Sequence, residues 1–399
     1  MDRGGPDVPD SAGRPPAPGP GSSATGDGLA RRRRRRWVRG AALGSAVLLL
    51  AAAGAGWAVY DRLSSNITPD DAAARELARY ERERPTALVK DAQNILLIGS
   101  DTRAGDNGAY GRDTGSARAD TTILLHLAAD RRSATAVSLP RDLMVRVPEC
   151  VGADGDRTEP VFAMLNHAFQ LGGSACTIRT VEELTGIRVD HHMVVDFSGF
   201  KEMVDAVDGV RLCLKEPVDD KAAKLSLPAG TVTLDGEQAL GYVRARKTLG
   251  DGSDTDRMER QQRFLGALVD KVRGSDVLLN PVKLYPVLDA ATSALTTDPE
   301  LANLRGLYQL VRGLRDIPTE HVQFLTVPRE AYVYDSNRDQ LVEPDAGRLF
   351  ARLRADQPVA VAKDTSPENT GNAHQQGSTN DPSPVPTFHG NTAAERACE

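Results

Sequence analysis

Four short segments of the chain carry charged side chains where a buried strand should end, and their types suit phosphate and metal chemistry. Asp101 and Arg103 follow the apolar run Asn94–Gly99. Arg118 and Asp120 sit two apart before the run 121–127, so in an extended chain they share one face. Arg141 follows Pro140 at the end of 134–139, where proline ends strand pairing. The fourth segment, GYVRARKTLGDGSDTDRMERQQ (241–262), places Arg244 and Arg246 two apart, then a Gly/Asp turn, then a helical stretch. Read as a strand, it turns both arginines to one side as an oxyanion clamp. Read as a helix, it sets them ~200° apart.

On the helix after the turn, Arg257 and Gln261 lie one turn apart and are neighbours. The same face continues through Phe264, Leu265, Leu268 and Val272. An apolar stripe with a polar head at its N-terminus suits a phosphate carried on an apolar chain, and the helix end adds partial positive charge. Asp254 sits at that end. Two carboxylates at the mouths of neighbouring strands, Asp101 and Asp120, suit a hard cation such as Mg²⁺, which takes its remaining oxygens from water and phosphate. The blander alternatives are turn capping for Asp101 and plain ion pairs for Arg118–Asp120 and Arg141–Asp142. His191-His192, side by side, fits a structural role better than metal ligation. No GxSxG, HExxH or P-loop signature occurs in the sequence.

These segments need a scaffold. Apolar runs 94–99, 121–127, 134–139, 143–147, 193–197, 210–214 and 322–327 read as strands, with an edge hairpin strand over 229–234. Helical patterns cover 161–171, 177–184, 199–207, 236–240, 254–272, 281–294 and 299–314. Strands alternating with helices predict an α/β body built as a three-layer α/β/α sandwich on a central mixed sheet.

The chain has 399 residues and a net charge of −6. Residues 1–40 hold nine arginines and four aspartates, a net of +5, which leaves −11 for the rest. An acidic body argues against general nucleic-acid binding. Residues 41–60 carry no charge, and at ~1.5 Å per residue such a helix crosses the ~30 Å bilayer core. Arg31–Arg36 and Arg39 before it predict a cytoplasmic N-terminus and an extracytoplasmic C-terminal body. The alternative is a cleaved leader with a small-residue site at 53–55.

The division expected is a disordered basic tail (1–40), a transmembrane helix (41–60), a stalk (61–91), a catalytic domain (92–356) and a disordered C-terminal tail (357–399). The four cysteines show no metal spacing. Outside the membrane thiols tend to pair; Cys150 with Cys176 is the first expectation, with either to Cys213 open, and Cys398 unpaired.

Seven words in the chain, NILLIGSDTR, SARADTTILL, AVSLPRD, NHAFQLGG, VDFSGFKEMVDAVDGV, LDGEQALGYVRAR and SDTDRMERQQRFL, resemble in kind and order the LytR-CpsA-Psr family of bacterial cell-wall proteins. The resemblance covers roughly 93–275 and continues more weakly to about 355. It implies a sandwich with a hydrophobic tunnel for a polyprenyl tail. It implies Mg²⁺-dependent phosphotransfer of a glycopolymer, teichoic acid or capsule, from a polyprenyl-pyrophosphate carrier to peptidoglycan. By motif, Asp101 and Asp120 would hold Mg²⁺; Arg118, Arg141, Arg244 and Arg246 would clamp phosphates, with Asp254 assisting. Arg257 and Gln261 would line the head-group region, near Arg103 and Phe264. The other readings are a non-enzymatic polyprenyl-phosphate sensor or transcriptional attenuator, recognised by tight binding without turnover, and a lipid pyrophosphatase, recognised by release of free phosphorylated glycan.

Overall fold

The computed structural model describes residues 27–101, 118–152, 154–221, 223–245, 254–273, 281–362 and 385–395. The chain forms two units, residues 1–59 and 60–399.

The first unit is dominated by α1 (Asp27–Asn66), whose stretch from Trp37 onward is long and apolar enough to cross a membrane. Leu43, Val47, Leu48, Leu49 and Leu50 are all exposed on it, as suits lipid contact.

The second unit is built on a nine-stranded sheet. Its first strands in the chain are β1 (Thr68–Pro69), β2 (Gln93–Ser100), β3 (Ala119–Leu127) and β4 (Ala134–Leu139). A small hairpin follows, β5 (Met144–Val147) with β6 (Val161–Met164). Then come β7 (His191–Val195), β8 (Val210–Leu214), β9 (Val218–Asp220), β10 (Leu225–Leu227), β11 (Gly230–Leu234) and β12 (Leu295–Thr297). The last are β13 (Val322–Thr326), β14 (Arg329–Tyr332), β15 (Asp335–Leu341), β16 (Ala360–Ala362) and β17 (Thr387–Thr392). The large sheet runs β1-β12-β7-β2-β3-β4-β13-β17-β16, with parallel and antiparallel pairs mixed.

Both faces of this sheet are covered, which is why its strands read as continuous apolar runs. Leu96, Ile98, Leu124 and Val137 pack on one side with α2 (Asp71–Arg79), α3 (Leu165–Thr185) and the helix Asp345–Arg354. Ile95, Ile123 and Ala136 point the other way, toward Leu310 of the helix Leu304–Arg315 and Leu265. That second layer also holds α4 (Phe197–Ala206), α5 (Gly236–Arg244), α6 (Asp254–Arg273) and the helix Pro281–Ser293. The three-layer α/β/α architecture is therefore as expected. A Cβ at Gly199 would lie 2.6 Å from the Cβ of Ala294, so only glycine lets α4 pack this closely.

Several expectations are corrected. Residues 61–91 are no stalk: Leu63, Ile67, Ala73 and Leu77 are buried, β1 pairs with β12, and Arg84 donates to Glu182 at 2.8 Å. The C-terminal segment is not wholly tail, because β17 pairs antiparallel with β13 and Phe388 is buried. Residues 161–164 are a strand rather than a helical start, because they pair with β5. The helices read at 161–171 and 177–184 are otherwise one element, α3, kinked where Gly173 takes φ 59°. Cys150 and Cys176 form the expected disulfide; Cys213 is also disulfide-bonded, and Cys398 lies outside the described residues.

Candidate functional site

The sheet register gathers the charged segments at one edge. β2 and β7 run parallel, with Gly99 opposite Val195, so their C-terminal ends coincide. β3 runs back between β2 and β4, with Ala119 opposite Ser100 and Thr122 opposite Leu139. Asp101, the pair Arg118/Asp120, Arg141 and Asp196 thus emerge along one rim. The C-terminal ends of parallel strands are where open α/β sheets commonly bind ligands.

At this rim Arg141 Nη1 donates to Asp120 Oδ1 at 2.8 Å, and its Nε lies 3.3 Å from Asp142 Oδ2. Asp101 Oδ1 accepts the backbone N–H of Arg118 at 2.5 Å, while the Asp101 N–H donates to the Arg118 carbonyl at 3.0 Å. This reciprocal pair fixes the chain on either side of 102–117. Arg118 is exposed and Asp120 half-buried.

A cavity of about 730 Å³ opens at the rim. Asp101, Arg118, Asp120, Arg141, Arg244, Arg257, Gln261 and Phe264 all line it. Eight sequence-predicted residues therefore share one space. Arg103 and Arg246 lie outside the described residues, as does the side chain of Asp254, which begins α6. The interior is apolar. Leu97 and Met193, two rungs back along the paired strands, form its floor. Phe197, Phe200 and Met203 of α4 and Leu265 and Leu268 of α6 form its sides. From Arg257 to Leu268 the wall runs ~16 Å at 1.5 Å per residue. The Phe200 and Phe264 rings meet at 5.4 Å, closing one wall.

Arg244 reaches the cavity differently from expectation. Residues 242–244 belong to α5, opened by a capping box of Asp235 and Gln238, so alternation does not put Arg244 and Arg246 on one face. Arg244 is the last residue of that helix, and its guanidinium lies 4.4 Å from the centre of the Phe197 ring, a cation–π distance. Gln261 Nε2 donates to the Val243 carbonyl at 3.3 Å, tying α6 to the end of α5. Arg260 is buried and its Nη2 donates to the Ala245 carbonyl, so this arginine of the cluster holds the end of α5. Gln262, also buried, donates to Ser138 Oγ at 3.0 Å and Thr326 Oγ1 at 3.1 Å, fixing α6 over β4 and β13.

Three polar lining residues escaped sequence reasoning: Asn166, Asp196 and Arg338. Asn166 lies inside the NHAFQLGG word and Asp196 caps α4 from the end of β7. Arg338 arrives on β15 with no local signal; its Nη1 lies 3.8 Å from Asp142 Oδ1.

His126, His191 and His192 stand at the opposite edge of the sheet. His192 Nε2 lies 3.2 Å from Asp70 Oδ2, and His191 Nδ1 3.2 Å from Asp298 Oδ1. Burial works against charging His191, but the carboxylates of Asp298, Asp190 and Glu300 together outweigh it and raise its pKa above 6.5. Burial pushes the Asp298 carboxyl up, yet the bonds from His191, His192 and Leu301 hold it below its ordinary value. His126, between Asn94 and Asp356, is lowered chiefly by burial.

Among the described residues no three His, Cys, Asp or Glu side chains cluster as a metal cage. Asp101 and Asp120 offer two carboxylates at adjoining strand mouths, beside arginines. That donor set fits a hard cation completing its shell with phosphate oxygens and water.

The LytR_cpsA_psr family model matches residues 63–354. The chain belongs to this family. It is 40% identical over 290 residues to the probable cell wall biosynthesis protein LcpB of Corynebacterium glutamicum, covering 70% of this chain and 65% of that one. It is 30% identical over 322 residues to the Bacillus subtilis polyisoprenyl-teichoic acid–peptidoglycan teichoic acid transferase TagT, covering 77% and 92%. A solved structure of TagT bound to LI-WTA superposes with a TM-score of 0.51 and 25% identity, over 69% of this chain and 96% of that one. The chain spans less than two thirds of the length of the corynebacterial relatives it matches.

Proposed function

We propose that this protein transfers a glycopolymer from a polyprenyl-pyrophosphate carrier to peptidoglycan by phosphotransfer. The observation that carries the reading is a cavity with an arginine- and aspartate-lined mouth and an apolar interior. A ligand with a charged pyrophosphate and a long hydrocarbon tail matches both halves. The name of TagT as a teichoic acid transferase supports the same class of reaction.

In the step, an acceptor hydroxyl oxygen attacks the phosphorus nearer the glycan. The bond from that phosphorus to the bridging oxygen breaks. Prenyl monophosphate leaves with the bridging oxygen, and the glycan is left in a phosphodiester with the acceptor. The hydroxyl proton passes to a carboxylate, Asp101, Asp142 and Asp254 being the candidates. Phosphoryl transfer asks mainly for positioning and charge neutralisation. Arg118, Arg141 and Arg244 supply both at the mouth, with Arg246 from the adjoining segment. Arg257 and Gln261 hold the head group where α6 begins, and Phe264 backs the tail. Asp101 and Asp120 would hold Mg²⁺, which would neutralise developing charge on the phosphate oxygens when bound.

The arginine run ahead of the apolar stretch of α1 supports a cytoplasmic N-terminus, and the Cys150–Cys176 disulfide supports an oxidising, extracytoplasmic location for the body. Full-length protein in detergent, given lipid-linked glycan and peptidoglycan oligomers, tests the reading. Ligation is expected with Mg²⁺. Arg244→Ala with Arg246→Ala is expected to abolish it; retained ligation in that variant sinks the site assignment.

A further inference from the structure

The hairpin β14–β15 carries an aromatic group that the cavity does not use. Tyr334 at its tip is 85% exposed, and neighbouring Val333 is 71% exposed. The Tyr332 and Tyr334 rings lie 5.4 Å apart, edge to face. Across from them, Phe162 of β6 is 56% exposed, with its ring 6.1 Å from that of Tyr332. Three aromatic rings therefore form one contiguous surface from two hairpins. Contiguous exposed apolar surface of this kind marks a contact site, whereas single exposed apolar residues do not.

Both hairpins reach the mouth of the cavity. Arg338 of β15 and Met164 of β6 line it, and Arg338 reaches Asp142 beside Arg141. At ~3.3 Å per residue, Phe162 stands ~7 Å from Met164 along its strand. The aromatic surface is thus continuous with the charged rim.

We propose that Phe162, Tyr332 and Tyr334 form a platform on which the sugar rings of the donor glycan stack as they leave the phosphate site. This rests on the phosphotransfer reading: with the prenyl tail inside the cavity and the pyrophosphate at its mouth, the sugars must lie outside it. A pyranose presents an apolar C–H face to an aromatic ring and keeps its hydroxyls in water, so it fits exposed rings. Charge argues against a lipid surface as the occupant. Residues 329–341 hold two arginines and three acids, and 144–164 hold two arginines and four acids, nets of −1 and −2. Aromatic segments that dock on anionic bilayers are basic instead. The donor's sugars are the occupant, because they are joined to the pyrophosphate held at the mouth.

The test uses full-length protein in detergent, with Phe162→Ala/Tyr334→Ala and the conservative Tyr334→Trp. One arm measures binding of a lipid-free β-linked N-acetylglucosamine tetramer, standing for the acceptor. The other measures binding of prenyl-pyrophosphate carriers bearing one sugar or a longer chain. The double variant is expected to lose about tenfold in affinity for the longer carrier only, and Tyr334→Trp to keep it. Neither arm needs turnover, so the platform stands or falls apart from the transfer reaction. Unchanged affinity for the longer carrier, with melting temperature preserved, overturns the proposal, and so does a loss confined to the tetramer. So does loss of binding to anionic vesicles while sugar binding stays intact.

Discussion

Arg141 Nη1 and Asp120 Oδ1 meet at 2.8 Å and join the end of β4 to the start of β3 across the mouth of the cavity. The pair is only partly buried, so it is not a core ion pair. It holds a cation and a carboxylate side by side where a pyrophosphate and its metal would sit. Removing Arg141 takes away a charge aimed at the phosphates and releases Asp120. Arg141→Ala is expected to lower the transfer rate by ~10²–10³, the scale for losing one preorganised stabilising donor. Arg141→Lys should recover little, because it cannot make both contacts, to Asp120 and Asp142. Steady-state rates with lipid-linked donor check this.

The apolar interior makes a length-dependent prediction. Leu268 lines the cavity eleven residues beyond Arg257 on α6. Leu268→Trp should obstruct long prenyl chains while leaving the mouth untouched. Activity with a full-length carrier should fall by more than tenfold, and activity with a short-chain carrier should hold. Equal loss with both carriers would show that the tail does not run along α6.

Phe264 is fully buried and touches Phe200. Phe264→Ala is expected to cost about 3–5 kcal/mol of stability by opening a void. Chemical denaturation at fixed pH measures it.

The disulfide closes a loop of 26 residues between the end of β5 and α3. Losing that constraint on the unfolded chain costs about 3–4 kcal/mol in the chain-entropy account. Cys150→Ala/Cys176→Ala should therefore lower the melting temperature, and reductant should have no further effect at this bridge.

The histidines give stability a worked pH dependence. His191 is raised above 6.5, so its contribution is present below that pH and is lost as pH climbs through its folded value. His126 is lowered below 6.5, so the unfolded chain takes up its proton first and stability falls as pH drops below 6.5. Asp298, held low, contributes above 3.8 and is lost on further acidification. His191→Gln should flatten the alkaline limb of stability against pH, and His126→Gln the limb just below 6.5. Melting curves across pH 4–9 read both.

What the sequence conveyed follows from which physics is local. β2, β3 and β4 are buried on both faces, so their apolar runs were visible, and the charged residues that follow them marked the rim. α6 announced itself through its 3.6-residue stripe. Tyr242 to Arg246 misled, because a short alternation cannot tell strand from helix, whereas the capping box at Asp235 and Gln238 did carry the answer. β17 was hidden because its residues Thr387–Thr392 are mostly polar and owe their strand to pairing with β13. Arg338 was hidden for the same reason: only the docking of its hairpin beside β5 brings it to Asp142. The stalk reading of 61–91 missed the buried face of α2, on which Ala73 and Leu77 lie one turn apart.

The central claim is that one cavity holds a prenyl pyrophosphate and passes its glycan, with the proximal phosphorus, to an acceptor. Phosphorus NMR of full-length protein incubated with lipid-linked glycan, peptidoglycan oligomers and Mg²⁺ follows that phosphorus directly. The account predicts one phosphodiester signal gained for each prenyl monophosphate released, only when acceptor is present. Phosphomonoester on the free glycan in the absence of acceptor, or an unchanged pyrophosphate signal with donor bound, would contradict it.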